Sequence, residues 1–296
     1  MAVPSVKREA KPEIRSYRWP LWIRDLRSDW PFLAILISAL FLSLIPTYFN
    51  IIVSFKSMGQ FFTDPVGLSF PLHFLENYRV AFAVLWPTFL VSIGVAVATI
   101  AGTLTVSSLA AYAFARFQFP FREHLYWMVI IVLFIPGVLT FMTRYILVAE
   151  YGMLNTVWVL IIPRIATQQT FQIFILRAFF SALQEEVLEA ARVDGAGVWQ
   201  VLWHVVLPMS RPILAVLGII ELLDVWQDWL WPLITITNTP ELRPMALQVL
   251  FLATDVGPHY GYQMAGYVIA SVPMIVIFFL FSRQFIEGLS SGALKW

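Results

Sequence analysis

Glu189-Ala190-Ala191-Arg192-Val193-Asp194-Gly195, followed after nine residues by Val205-Val206-Leu207-Pro208, is a polar, helix-forming interval between two long apolar segments. Good helix formers run from Ala182 to Ala191, and Asp194-Gly195-Ala196-Gly197 breaks them. Val198 to Val206 can form a second short helix ahead of Pro208. The pattern predicts a helix, a glycine-permitted turn and a helix. Ala190 and Ala191 leave room for a close backbone approach, and Glu189 presents a charge beside them.

Outside this interval the chain reads as membrane. Of 296 residues, 59% are hydrophobic and only 12% charged, where a soluble domain carries roughly a quarter charged residues. A net charge of +1 gives no reason to propose nucleic acid as partner. With no cysteine and four scattered histidines there is no disulfide framework, thiolate nucleophile or metal-ligand spacing. No site for a metal or a bound cofactor is expected.

Six apolar stretches are predicted to span: about 32–53, 88–114, 125–147, 156–180, 212–236 and 264–281. Each is long enough to cross roughly 30 Å of hydrocarbon at about 1.5 Å per residue. The fold class expected is an all-α integral membrane protein of six transmembrane helices, with the helix-turn-helix at 181–208 between spans four and five. Residues 1–31 read as a solvated basic arm before an uncleaved first span, with Trp19, Trp22 and Trp30 where an interfacial belt begins. The segment from Ser54 to Trp86 reads as an ordered loop with a short helix, and Pro136-Gly137 as a kink in the third span. Residues 237–263 read as a further loop. Gly94, Ala98 and Gly102 recur every four residues and invite close helix packing, within this chain or with a second one.

Six spans place both termini on one side. If that side is the cytoplasm, it holds seven basic residues of the arm, then Arg116, Arg122, Arg177, Arg192, Arg211, Arg283 and Lys295; five fall outside or within spans, among them Arg144 and Arg164. The positive-inside rule then puts the 181–208 loop in the cytoplasm, where ATP is.

The interval Glu-Ala-Ala-x-x-x-Gly, x9, Val-x-Leu-Pro resembles the cytoplasmic loop of the membrane subunits of bacterial ATP-binding-cassette importers. Ser54-Phe55-Lys56, Glu76-Asn77-Tyr78, Leu154-Asn155-Thr156, Leu176-Arg177-x-Phe179-Phe180 and the tail Phe285-Ile286-Glu287-Gly288-Leu289-x-x-Gly292-Ala293-x-Lys295 are similar to the maltose-type, sugar-importing branch. So is Trp226-Gln227-Asp228-Trp229-Leu230-Trp231-Pro232-Leu233, although Gln227 stands where asparagine is usual, Trp229 replaces a phenylalanine, and the chain ends in Trp296 rather than glycine. The resemblance implies a bacterial inner-membrane subunit that works with a second, different permease chain, two cytoplasmic ATPase subunits carrying ATP and magnesium, and an external solute-binding protein. It also implies that Glu189, Ala190, Ala191, Asp194, Gly195, Leu207 and Pro208 form the surface that receives motion from the ATPase. This chain has no Gly-x-x-x-x-Gly-Lys-Ser/Thr phosphate loop of its own; a transport subunit rather than an enzyme is expected.

Ionisable and amide groups inside spans cost several kcal/mol unless paired or wet, so each marks a site. Arg164 and Gln168 fall in the fourth span; Asp224, Trp226, Gln227 and Asp228 fall in the fifth, where a spacing of three and four would put Asp224, Gln227 and Asp228 on one helix face. Carboxylates, amides and indoles suit sugars, whose hydroxyls take paired polar contacts and whose rings have apolar faces. These six are the expected substrate path for an oligosaccharide. The alternatives are a polyol, glycerophosphodiester or uronate cargo, Arg164 pairing with Asp224 or Asp228 only as interhelical glue, and an ion-coupled carrier using Arg164, Asp224 and Asp228 as a relay. Glycoside hydrolysis by two carboxylates is improbable without a soluble cleft domain.

Overall fold

The computed structural model describes residues 30–67, 70 and 72–293, with side chains described up to Phe281. The expected basic arm up to Asp29 and the residues Leu294 to Trp296 lie outside them. All regular elements among the described residues are helical. Contacts divide the chain into a unit up to Phe49 and a unit from Asn50 onward.

α1 (Trp30–Ser54) contains Pro46. α2 (Met58–Thr63) is the short helix expected after it, and it is fixed by a capping box: Ser57 Oγ accepts from Gln60 N at 3.3 Å and Gln60 Oε1 accepts from Ser57 N at 2.9 Å. α3 runs from Phe74 to Arg116, 43 residues, or about 64 Å. The expectation of loop up to Trp86 was therefore wrong from Phe74 on. No glycine or proline interrupts 74–86, and Pro87 removes only one backbone bond. Asn77 anchors this extension, its Nδ2 donating to the carbonyls of Ser54 at 2.8 Å and Lys56 at 2.9 Å.

The third span is no kinked rod. α4 (Arg122–Ile131) continues as a short 3-10 turn to Phe134, and α5 (Gly137–Glu150) leaves at 101°. Ile135, restricted by the proline after it, is extended at φ −87°, ψ 112°, and Pro136 offers no amide to continue the ladder. α6 (Trp158–Ser181) follows with Pro163 inside. Gly102 of α3 lies against it, where a Cβ would stand 2.4 Å from Ile165 Cδ1; nothing lies within 4 Å of such an atom at Gly94. Of the small-residue stripe, Gly102 thus serves contact within the chain.

The helix-turn-helix is present. α7 (Glu185–Val193) ends in a left-handed Gly195 at φ +87°, with Gly195 N donating to Arg192 O and Ala196 N to Ala191 O, both at 3.0 Å. α8 (Val198–Val201), a π turn (Leu202–Val206) and α9 (Leu207–Met209) form one rod, Val198–Met209, which meets α10 (Arg211–Gln227) at 76°. α10 stops at Gln227. Asp228 is extended at ψ 106°, and α11 (Leu230–Thr235) starts a new direction. The expected unbroken span 212–236 is therefore corrected: Asp224 and Gln227 stay on α10 while Asp228 follows its end, where Pro232 has no amide to donate to the Asp228 carbonyl and its ring crowds it.

The expected loop at 237–263 holds a helix, α12 (Met245–Asp255), preceded by Pro244 and closed by Gly257 at φ +94°. α13 (Tyr260–Ala293) is longer than the sixth span assigned to it. Among the described residues four helices are long and apolar enough to cross a membrane, and the two bent pairs raise that to as many as six. One apolar cluster, including Val95, Val159, Val225 and Trp231, packs α3 against α6, α10 and α11. A second, including Tyr112, Phe180, Leu188, Val201 and Leu202, seats the helix-turn-helix on α3 and α6.

Candidate functional site

A cavity of about 340 Å³ opens where α5 and the break at Asp228 meet α6, lined by Phe141 and Arg144 of α5, Pro163, Arg164, Thr167 and Gln168 of α6, and Asp224, Gln227, Asp228, Leu230 and Trp231. The predicted Arg164, Gln168, Asp224, Gln227 and Asp228 all meet here. Trp226 does not. It is 6% exposed on the other side of α10, its Nε1 donating to Ala270 O at 3.2 Å and its ring edge-on to Phe89. Its indole ties α10 to α13 instead of facing the cavity.

Arg164 and Asp228 form an ion pair. The other carboxylate oxygen of Asp228, Oδ1, accepts from Trp231 N at 3.2 Å, so one side chain caps the start of α11 and holds α6. Two further pairs repeat below it. Gln168 Nε2 donates to Asp224 Oδ2 at 2.7 Å, and Gln172 Nε2 donates to Glu221 Oε2 at 3.3 Å, with Ser107 Oγ on Gln172 Oε1 at 3.3 Å. Residues 164, 168 and 172 lie on one stripe of α6, four apart, so the two helices face one another through three polar rungs. Glu221 is 2% exposed, and in a low dielectric its amide partner lowers a desolvation cost that a lone carboxylate would bear in full.

Arg144 is a wall residue that the sequence reading left among the basic residues outside or within spans. Its guanidinium lies 4.7 Å from the Trp231 ring centre and 5.5 Å from that of Phe141, a cation–π seat. Trp231 is itself fixed by Nε1 donating to Val159 O at 2.8 Å. The signal for Arg144 was the same as for Arg164, an ionisable group inside an apolar stretch. Phe141 and Thr167 carried no such signal.

At the far end of α10 the helix-turn-helix divides its residues cleanly. Leu188 is fully buried and Ala191 and Leu207 pack around the same cluster, while Glu189, Ala190 and Asp194 are exposed. Glu189 makes no ion pair among the described residues. Val193, Trp199 and Trp203 extend the exposed face, at 87%, 64% and 54%. Pro208 lies near the end of the rod Val198–Met209, just after its π turn, and has no amide to donate back into that turn. Arg116, which the sequence marks only as one of the basic residues of the cytoplasmic side, clamps the interval to α3: it donates to Glu185 Oε2 at 2.5 Å and to the carbonyls of Phe180 at 2.5 Å and Leu183 at 2.9 Å.

Residues 103–289, from the middle of α3 to the last helix, match the family described as binding-protein-dependent transport system inner membrane component. The lactose transport system permease protein LacG of Rhizobium radiobacter is 31% identical over 262 residues, covering 86% of this chain and 93% of that protein. The sn-glycerol-3-phosphate transport system permease protein UgpE of Brucella abortus (strain 2308) is 28% identical over 270 residues, with the same coverages. Among solved structures, a bacterial ABC transporter involved in the import of the acidic polysaccharide alginate has the same fold, with a TM-score of 0.73 at 20% identity over 87% of this chain and 97% of that one. The match includes α6, the helix-turn-helix and α10, and with it the chain belongs to the binding-protein-dependent transport system inner membrane component family.

Proposed function

We propose that the chain is one of two different membrane subunits of an ATP-driven sugar importer, with an oligosaccharide as cargo, and that it works by alternating access. Two cytoplasmic ATPase subunits carrying ATP and magnesium would supply the motion and an external solute-binding protein would deliver the cargo. The observation that carries this reading is the arrangement on α10: a polar, aromatic-walled cavity at one end and an exposed helix-turn-helix at the other, with a bend between rod and helix at Ser210. In the cavity, charge-assisted groups and amides suit hydroxyls. The named relatives transport a disaccharide and a phosphorylated polyol, both rich in hydroxyls.

In this reading Glu189, Ala190, Ala191, Asp194, Gly195, Leu207 and Pro208 form the coupling surface, on the cytoplasmic side with both termini. Glu189 has no ion pair among the described residues to give up when a basic group of the ATPase approaches, and Ala190 lets that backbone come close. Leu188 and Arg116 hold the surface to the spans, so that a push on α7 is passed to α3 and α6 rather than lost in a mobile loop. The test is reconstitution with the partner permease, ATPase and binding protein. Glu189→Ala is expected to leave the subunits assembled while uncoupling ATP hydrolysis from uptake. Unchanged coupled uptake would overturn the assignment of the surface, and uptake that survives ATP depletion but stops with a protonophore would overturn the ATP-driven reading in favour of an ion-coupled carrier.

A further inference from the structure

We infer that Arg144 is a specificity residue that receives an oxyanion, a carboxylate or phosphate carried by a polyhydroxylated cargo; this rests on the reading of the cavity as the cargo path. The cavity holds two cations and two carboxylates, and three of these four charges are already engaged. Asp228 takes Arg164 and the Trp231 amide, and Asp224 takes Gln168. Arg144 has no ion pair and no hydrogen bond among the described residues, and its Nε is buried without a partner.

The seat explains how such a group is kept available. The cation–π seat, with the guanidinium carbon 4.7 Å from the Trp231 ring centre and 5.5 Å from that of Phe141, takes up none of its N–H donors in a hydrogen bond among the described residues. A planar fork of N–H donors fits two oxygens of a carboxylate or phosphate at once, which neither a hydroxyl nor a water can match. Because Arg164 is neutralised within the wall, the arriving oxyanion meets one uncommitted cation, at a defined place. Gln227 stands exposed on the same wall with no hydrogen bond among the described residues, and its amide can take a neighbouring hydroxyl. Neither cavity carboxylate pairs with Arg144 among the described residues: Asp228 is shared between Arg164 and the Trp231 amide, and Asp224 Oδ2 takes Gln168.

The experiment is ATP-dependent uptake by the complete transporter in liposomes, with four probes: a uronic-acid trisaccharide, the same trisaccharide with its carboxyls reduced to alcohols, glycerol 3-phosphate, and glycerol. Expected is uptake of one anionic probe in preference to its neutral counterpart, a loss of that uptake by about tenfold or more in Arg144→Gln, and partial recovery in Arg144→Lys, which keeps the charge without the fork. Which anion is taken distinguishes carboxylate from phosphate. Uptake of the neutral probe alone, or an equal fall for both members of a pair in Arg144→Gln with the complex still assembled, would overturn the proposal, the second result marking Arg144 as a purely structural stack on Trp231. Uptake of none of the four overturns the role of Arg144, and the sugar reading falls with it only if ATP-dependent uptake of neutral di- and trisaccharides is absent too; if the unmodified transporter takes only neutral probes, the sugar reading stands and the role of Arg144 does not.

Discussion

Replacing Arg116 by alanine should release the helix-turn-helix without unfolding the spans. Its guanidinium makes three contacts: Glu185 at 2.5 Å and the carbonyls of Phe180 and Leu183 at 2.5 and 2.9 Å. The Glu185 side chain is 48% exposed, so the ion pair itself is worth at most about 1 kcal/mol after solvent screening. The two carbonyls are different. They belong to the last turn of α6 and the residues after it, where Phe180 O has only a long bond from Leu183 N at 3.4 Å, and a charged donor on each is worth about 1.5 kcal/mol. The loss is therefore about 3 kcal/mol, roughly a hundredfold in a local opening equilibrium. Hydrogen exchange on the reconstituted transporter should show the amides of α7 exchanging about a hundredfold faster, while those of α10 and the middle of α3 hold. Arg116→Lys should recover only part of the protection, because an ammonium cannot fork between Glu185 and two carbonyls. A change in α7 of less than threefold would refute the reasoning, leaving the apolar cluster around Leu188 as the sole attachment; equal acceleration in α10 would refute it from the other side.

Gly261→Ala should lower the melting temperature by several degrees, since the new methyl would lie 2.4 Å from Lys56 O and 2.5 Å from Asn77 Nδ2, whereas Gly59→Ala, with nothing within 4 Å, should be silent. Asp228→Asn and Arg164→Gln should each destabilise by about 2 kcal/mol or more by stranding a largely buried charge, and the double variant should cost less than their sum; additive denaturation energies would show that the two do not act as a pair. His259, stacked on Tyr262 at 3.9 Å, is pushed below the ordinary imidazole range first by burial and then by His73, against the opposing pull of Glu76. Folding therefore favours its neutral form, so its contribution is present above the ordinary imidazole pKa and is lost as the pH falls through the lowered one. Exchange of the amides near 256–262 should quicken on acidification in the unmodified protein and not in His259→Gln, and equal acid sensitivity in both would remove His259 as the cause.

The parts of the molecule that could be read in advance are those where one local signal decides the backbone. Asp194-Gly195 stops α7 because Gly195 must be left-handed, and the apolar lengths give the spans because lipid offers no other partner for backbone amides. The rest depended on signals whose strength context decides. Pro87 and Pro163 are carried inside helices, whereas Pro232 ends one at Asp228 and Pro136 turns another through 101°. The same residue type gives both outcomes, since neighbouring helices can satisfy a freed carbonyl in one place and not in another. α12 did carry its boundaries, Pro244 before it and a left-handed Gly257 after it, but its apolar run is too short to span and so passed for loop. In the cavity, Arg164, Gln168, Asp224, Gln227 and Asp228 were legible as polar groups inside apolar stretches. The place of Trp226 was not, because indoles five residues apart point to different sides once α10 breaks between Trp226 and Trp231.

The break at Asp228 and the bend at Ser210 leave α10 as a straight piece of 17 residues with a joint at each end. That is a lever about 25 Å long. A tilt of roughly 10° about the Ser210 end would carry its other end through about 4 Å over that length, more than the reach of any hydrogen bond in the Arg164–Asp228, Gln168–Asp224 and Gln172–Glu221 series. The rung farthest from the joint moves most and the Glu221 rung, nearer to it, moves less. A small displacement of the helix-turn-helix is thereby amplified where the cavity is, and its polar rungs part in sequence rather than all together.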